Sequence, residues 1–194
     1  MEQFWVFLKL GFEHISDWRA YDHMLFIITL CAFYPLRQWK KILILITAFT
    51  VGHSVTLVLS AFNILRLPQE LVETAIPFTI FLTAVHNVWK KDKIVEFRKI
   101  MTNYYLALCF GFIHGMGFSN FFRALTGEES IVLELFAFNV GLEIGQILIV
   151  LSFFLLYFLL DRFFNIVQRD WNIFISGAGA GVSLLLIIES AFGV

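Results

Sequence analysis

Apolar runs of about 20 residues recur along the whole chain, and that is the length a helix needs to cross a hydrocarbon core. They fall at roughly 20–36, 41–63, 70–89, 102–123, 131–160 and 171–193, the first short and the fifth long. Residues 3–15 form a seventh apolar piece, too short to span alone. Composition agrees with a chain that lives in lipid. It is 59% hydrophobic, contains 24 Phe among 194 residues, and has a mean hydropathy of +0.81. Charged residues make up 15%, against roughly 25% in soluble domains. The reading is all-α: one integral membrane domain over 1–194, a polytopic bundle of six transmembrane helices plus a short N-terminal interfacial or half-helix.

Charge sets an expected orientation. Arg37, Lys40 and Lys41 follow the first run; Lys90, Lys91, Lys93, Arg98 and Lys99 follow the third; Arg162 and Arg169 follow the fifth. Lys9, Arg19, Arg66 and Arg123 lie on the other side. The positive-inside rule then puts the first group of loops in the cytoplasm and both termini outside. Residues 89–99 read as an amphipathic cytoplasmic linker in contact with anionic headgroups. The start, Met1-Glu2-Gln3, lacks a basic n-region, so no cleavable signal peptide is expected. The net charge of -1 implies no nucleic-acid partner. Cys31 and Cys109 fall inside apolar runs and read as reduced packing residues.

Against this background the ionisable residues stand out. Asp22 and His23, His53, Glu73 and His86, His114, Glu134, Asn139 and Glu143 lie inside or at the edges of the apolar runs. A charge at the bilayer centre costs from about 2.5 to above 10 kcal/mol. So many together imply groups that satisfy one another, and these residue types bind metal ions. Counting along each run puts most of them in the outer half of the bilayer, with Glu189 near the outer end of the last run. His86 and Asn87 lie at the cytoplasmic end, so His86 is expected outside the main site.

Each has a plainer reading. Asp22 could cap a helix beside an interfacial His23, or hold the His23 tautomer as a partner behind a metal ligand. Thr50, His53 and Ser54 share a helical face at i, i+3 and i+4, which suits hydrogen bonding as well as ligation. Gly111 and Gly115 flank His114 and would press it against a neighbouring helix. Asn139, Glu143 and Gln146 form a polar stripe in a helix of Phe, Leu, Ile and Val, with Gly141 and Gly145 beside it. A carboxylate that deep is protonated, paired, or bound to a cation. The small residues of the last run, from Ser176 to Ser183, read as close packing. Imidazoles and carboxylates without thiolates suit Zn, Ni, Co, Mn or Fe(II) better than copper(I).

Several segments in order resemble one family. They are Gly11-Phe12-Glu13-His14-Ile15, Tyr21-Asp22-His23-Met24-Leu25-Phe26 and Phe49-Thr50-Val51-Gly52-His53-Ser54-Val55-Thr56-Leu57. Val72-Glu73, Phe110-Gly111-Phe112-Ile113-His114-Gly115-Met116-Gly117-Phe118 and Phe138-Asn139-Val140-Gly141-Leu142-Glu143-Ile144-Gly145-Gln146 continue it. The family is that of the HupE/UreJ hydrogenase- and urease-accessory membrane proteins. The resemblance covers most of the chain and departs from the pattern between His14 and Asp22, with Asp17 where a glycine is usual. It implies a bacterial inner-membrane protein of six or seven helices, and an activity as a nickel, sometimes cobalt, permease. Carried over by position, it implies metal ligands at His23, His53, His114 and Glu143, with His14, Asp22, Glu73 and Asn139 around them.

Two functions compete on these residues. The first is uptake of a divalent ion (Ni, Co or Zn) from an outer-facing His/carboxylate site, with His86 and Asn87 as an inner station. The second is a zinc-type membrane hydrolase or transferase acting on a lipid or lipid-linked substrate in the outer leaflet. There a metal-bound water would have its pKa lowered to about 7, with Asp22 or Glu143 as general acid/base. Haem held by two histidines is a distant third, since carboxylates crowd the candidates.

Overall fold

The computed structural model describes residues 2–18, 21–65, 67–90, 97–125 and 131–192. Most of the expected basic linker of 89–99 lies outside them, as do Arg19 and Arg66. The described residues form seven α-helices: α1 (Glu2–Ser16), α2 (Asp22–Ala32), α3 (Trp39–Ala61), α4 (Gln69–Trp89), α5 (Phe97–Leu125), α6 (Ile131–Phe164) and α7 (Gln168–Phe192). Helix ends follow local chemistry. Pro35 and Pro68 precede the turns that open α3 and α4, where a missing N–H does no harm. Asn63 and Asn165 take φ of 57° and 51° just past α3 and α6, the left-handed stop that Asn tolerates.

Five helices, α3 to α7, are long and apolar enough to cross a membrane. With the chain's composition this makes it a multi-pass membrane protein. The first expected span, 20–36, is the point of difference. Its helix, α2, has only 11 residues, or about 16 Å at 1.5 Å per residue, roughly half a hydrocarbon core. The turn at Phe33–Tyr34 and Pro35 ends it early.

What α2 lacks, α1 supplies. α1 packs into the bundle along α6: an added Cβ on Gly11 would strike the Phe138 carbonyl, and one on Gly141 the Leu8 carbonyl. Ile15 sits against Gly145, so the two helices run in the same direction. α2 begins where α1 ends, with the His14 and His23 rings 4.7 Å apart, and then carries Thr29 to Asn87 near the end of α4. The pair therefore runs in series as one helix broken between the end of α1 and the start of α2.

The remaining helices pack through small residues, which bring backbones close where lipid removes any hydrophobic drive between helices. α3 and α5 lie parallel, Gly52 against the Leu108 carbonyl and Gly111 against the Phe49 carbonyl. α4 and α7 are antiparallel, joined by Thr74–Ser190 (2.6 Å) at one end and Asn172–Asn87 (3.0 Å) at the other. Gly179 packs on Thr29, but Gly177 and Gly181, expected to pack closely too, have nothing within 4 Å of an added Cβ. Cys31 and Cys109 are both free thiols.

Candidate metal centre

The break between α1 and α2 puts two imidazoles opposite a third. His14 lies in the last turn of α1, His23 in the first turn of α2, and His53 in the middle of α3. Ring centroids are 4.7 Å apart for His14–His23, 5.6 Å for His14–His53 and 5.9 Å for His23–His53. One nitrogen from each can be chosen so that all three lie within 4.8 Å of one another. With bonds of about 2.0–2.1 Å, nitrogens on one ion lie at most about 4.2 Å apart, so small side-chain movements would seat the trio on a single ion.

The protonation pattern leaves lone pairs facing inward. His23 Nδ1 donates to Asp22 Oδ1 at 2.9 Å, and the same oxygen accepts the His23 backbone N–H at 2.8 Å. That contact orients the ring and leaves Nε2 as the ligand atom, the arrangement in which a carboxylate supports a metal-bound imidazole. His53 is fully buried, and neither ring nitrogen has a hydrogen-bond partner among the described residues. The buried Nε2 atoms of His14 and His23 have none either. Buried polar atoms are normally paired, at a cost of about 1–3 kcal/mol each when they are not. Three imidazoles that each bring an unpartnered buried nitrogen to one place are what a cation would satisfy, and the donor set fits a borderline divalent ion. The C-terminal end of α1 adds its negative dipole end to the same place.

His114 stands beside this trio, its ring 5.0 Å from His23. The Thr79 hydroxyl donates to the Ile76 carbonyl at 2.7 Å, so at 3.1 Å it accepts from His114 Nε2. His114 Nδ1 is then a bare lone pair, buried and without a partner among the described residues. Gly115 lets His114 approach α3, because an added Cβ there would press on the His53 backbone.

Glu143 occupies a different place from the one sequence reasoning gave it. The Thr47 hydroxyl donates to Glu143 Oε1 at 2.7 Å, on the half-exposed outer flank of α3 and α6. Thr47 lies six residues before His53, about 9 Å along the helix. The α6 side chain that faces His53 is Phe138, stacked at 6.1 Å. Asn139 and Gln146 join the same ladder: Ser54 donates to Asn139 Oδ1 (2.7 Å) and Thr50 to Gln146 Oε1 (2.9 Å). The polar stripe thus holds α6 on α3. His14, which the sequence placed around the ligands, contributes a nitrogen to the trio. Its signal was its position in the last turn of α1, legible only once the break is known.

A cavity of about 760 Å³ leads to the histidines. His14, Asp22, His23 and His114 line its inner part, and Glu13, Asp17, Gln69 and Glu73 its outer part. Gln69 holds Glu73 through a 3.0 Å hydrogen bond. His86 lies elsewhere, on a second cavity at the other end of α4.

Neither a curated protein nor a solved structure matches the chain. A family pattern does: that described as HupE / UreJ protein matches residues 1–190, which is nearly every residue, including all four clustered histidines. The chain belongs to the HupE/UreJ family.

Proposed function

We propose that this protein is a permease for a divalent transition-metal ion, nickel or cobalt, taken up from the side on which the wide cavity opens. The observation that carries the reading is the trio of His14, His23 and His53 across a broken helix, each with a buried unpartnered nitrogen. Broken membrane helices at mid-depth are where transporters bind ions, since helix ends and side chains there can regroup at small cost. The acidic lining of Glu13, Asp17, Asp22 and Glu73 concentrates cations at the mouth. Asp22 holds the His23 tautomer, and His114 offers the next nitrogen inward.

Beyond the histidines the way is closed by aromatic rings. Phe26 stacks on Phe49 at 5.0 Å and meets Phe110 at 5.9 Å, and Phe26 and Phe49 are fully buried. Phe49 touches His114 at 5.1 Å, while Phe26 also lines the second cavity. Inward release therefore requires α2 to move relative to α3 and α5, shifting Phe26 and exposing the ion towards the His86 end. The separation of α2 from α1 leaves α2 able to move apart from α1.

A second reading, a metal-dependent hydrolase, draws on one observation: the wide cavity reaches His14 and His23, so an ion held by the three imidazoles would be open to water and substrate. The bound ion would supply a lowered water pKa there, with Asp22 the nearest carboxylate. The deciding experiment is metal analysis of purified protein with flux of nickel, cobalt, zinc and manganese into proteoliposomes. Saturable nickel or cobalt flux that His53→Ala abolishes is the expected result. One tightly held ion per chain with no flux would replace the permease by the enzyme.

A further inference from the structure

The second cavity has a chemistry unrelated to the metal centre. It encloses about 320 Å³ between α2, α4 and α5 at the end of the bundle away from the clustered histidines. That is room for about ten waters at roughly 30 Å³ each, yet its walls are mostly apolar, and apolar cavities stay dry. Phe26, Tyr34 and Ala107 form its floor and are at most 2% exposed. Its mouth opens sideways between α4 and α5, where Leu82 and Leu106 are 43% and 42% exposed on faces that meet lipid. Trp89, 82% exposed, marks the interfacial level of that mouth.

A cation stands at the rim. Lys90 Nζ lies 5.2 Å from the ring of Phe33 and 3.5 Å from His86 Nε2, and both of those side chains line the cavity. Arg169, close by, is committed to backbone, donating to the carbonyls of Val88 (2.6 Å) and Lys90 (3.0 Å) and so fixing the chain at this corner. An apolar slot that opens to the bilayer beneath an ammonium matches one membrane component: a lipid with an anionic headgroup, its acyl chain in the slot and its phosphate on Lys90. We propose that this cavity is a binding site for an anionic phospholipid. The site wedges between α2 and the α4–α5 pair, beside the Asn87 contact that joins α2 to α4 through the Thr29 carbonyl (2.6 Å). A bound lipid there holds the second half of the broken helix in place. The proposal stands whether or not the metal centre is a permease site.

The test is native mass spectrometry of the full-length, detergent-purified protein titrated with phosphatidylglycerol or phosphatidylcholine bearing identical acyl chains. The first phosphatidylglycerol is expected to bind at least tenfold more tightly than phosphatidylcholine. Lys90→Gln should bring the two within about twofold by removing the rim charge, and Ala107→Phe, which fills the floor, should abolish the first tight binding event. Equal affinity of the two lipids for the unaltered protein would overturn the proposal, as would a preference that survives Lys90→Gln. Palmitate binding without retained phospholipid would overturn it too. If Ala107→Phe fails to fold, Lys90→Gln decides alone, since it removes the charge and keeps the Lys90 carbonyl that Arg169 bonds.

Discussion

His53 is the most demanding residue of the chain: fully buried in mid-helix, with both ring nitrogens lacking partners among the described residues. Removing it should therefore cost metal affinity more than it costs the fold. His53→Ala is expected to weaken binding more than about 100-fold, above the 10–100-fold that a supporting residue commands, and Asp22→Asn to fall within that lower range. Isothermal titration with nickel in detergent measures both. Glu143→Gln should leave affinity within about twofold, because its carboxylate serves Thr47 and keeps a neutral acceptor after substitution. A large loss in that variant would return Glu143 to the ligand set. His86→Ala should likewise spare binding, since His86 lines the other cavity. Ligation needs neutral imidazoles, so binding releases protons only at pH low enough to protonate the free histidines: affinity is full where they are neutral and is lost as pH falls below that range. Titrations in two buffers of different ionisation enthalpy count the protons directly.

At the level of elements, glycine governs how closely the helices meet. Gly111 lies against the Phe49 carbonyl at the α3–α5 crossing, which also sets the spacing of His53 and His114. Gly111→Val should destabilise the protein by about 1–3 kcal/mol through overpacking and lower metal affinity with it. Gly177→Val, where an added side chain meets nothing within 4 Å, is the matched control and should change neither. Thermal unfolding in detergent, followed with and without nickel, separates the two. The break between α1 and α2 was not legible from hydropathy, because residues 3–15 and 20–36 are each apolar and nothing in composition says that they run in series. The early stop of α2 was partly legible in Pro35, the one strong local signal there. The long apolar helices were the plainest part of the sequence, since length and hydropathy alone define them.

For the molecule as a whole, α1 starts and α7 ends at the same end of the bundle as the wide cavity, while the α6–α7 turn and Lys90 lie at the other. In a Cys31→Ala, Cys109→Ser background, single cysteines at Gln69 and Asn165 should react with impermeant maleimide from opposite faces of the membrane. Labelling of Asn165Cys from the external face would invert the orientation expected from lysine and arginine. The sequence by itself determined the solvent, the helical class and the family, because these depend on composition, run length and motif order, and it named the residue types of the candidate metal site. Only the tertiary structure decided which of those residues meet. Side-chain direction and the α1–α2 break place His14 in the trio and turn Glu143 towards Thr47, and depth counted along single helices carries no information about azimuth.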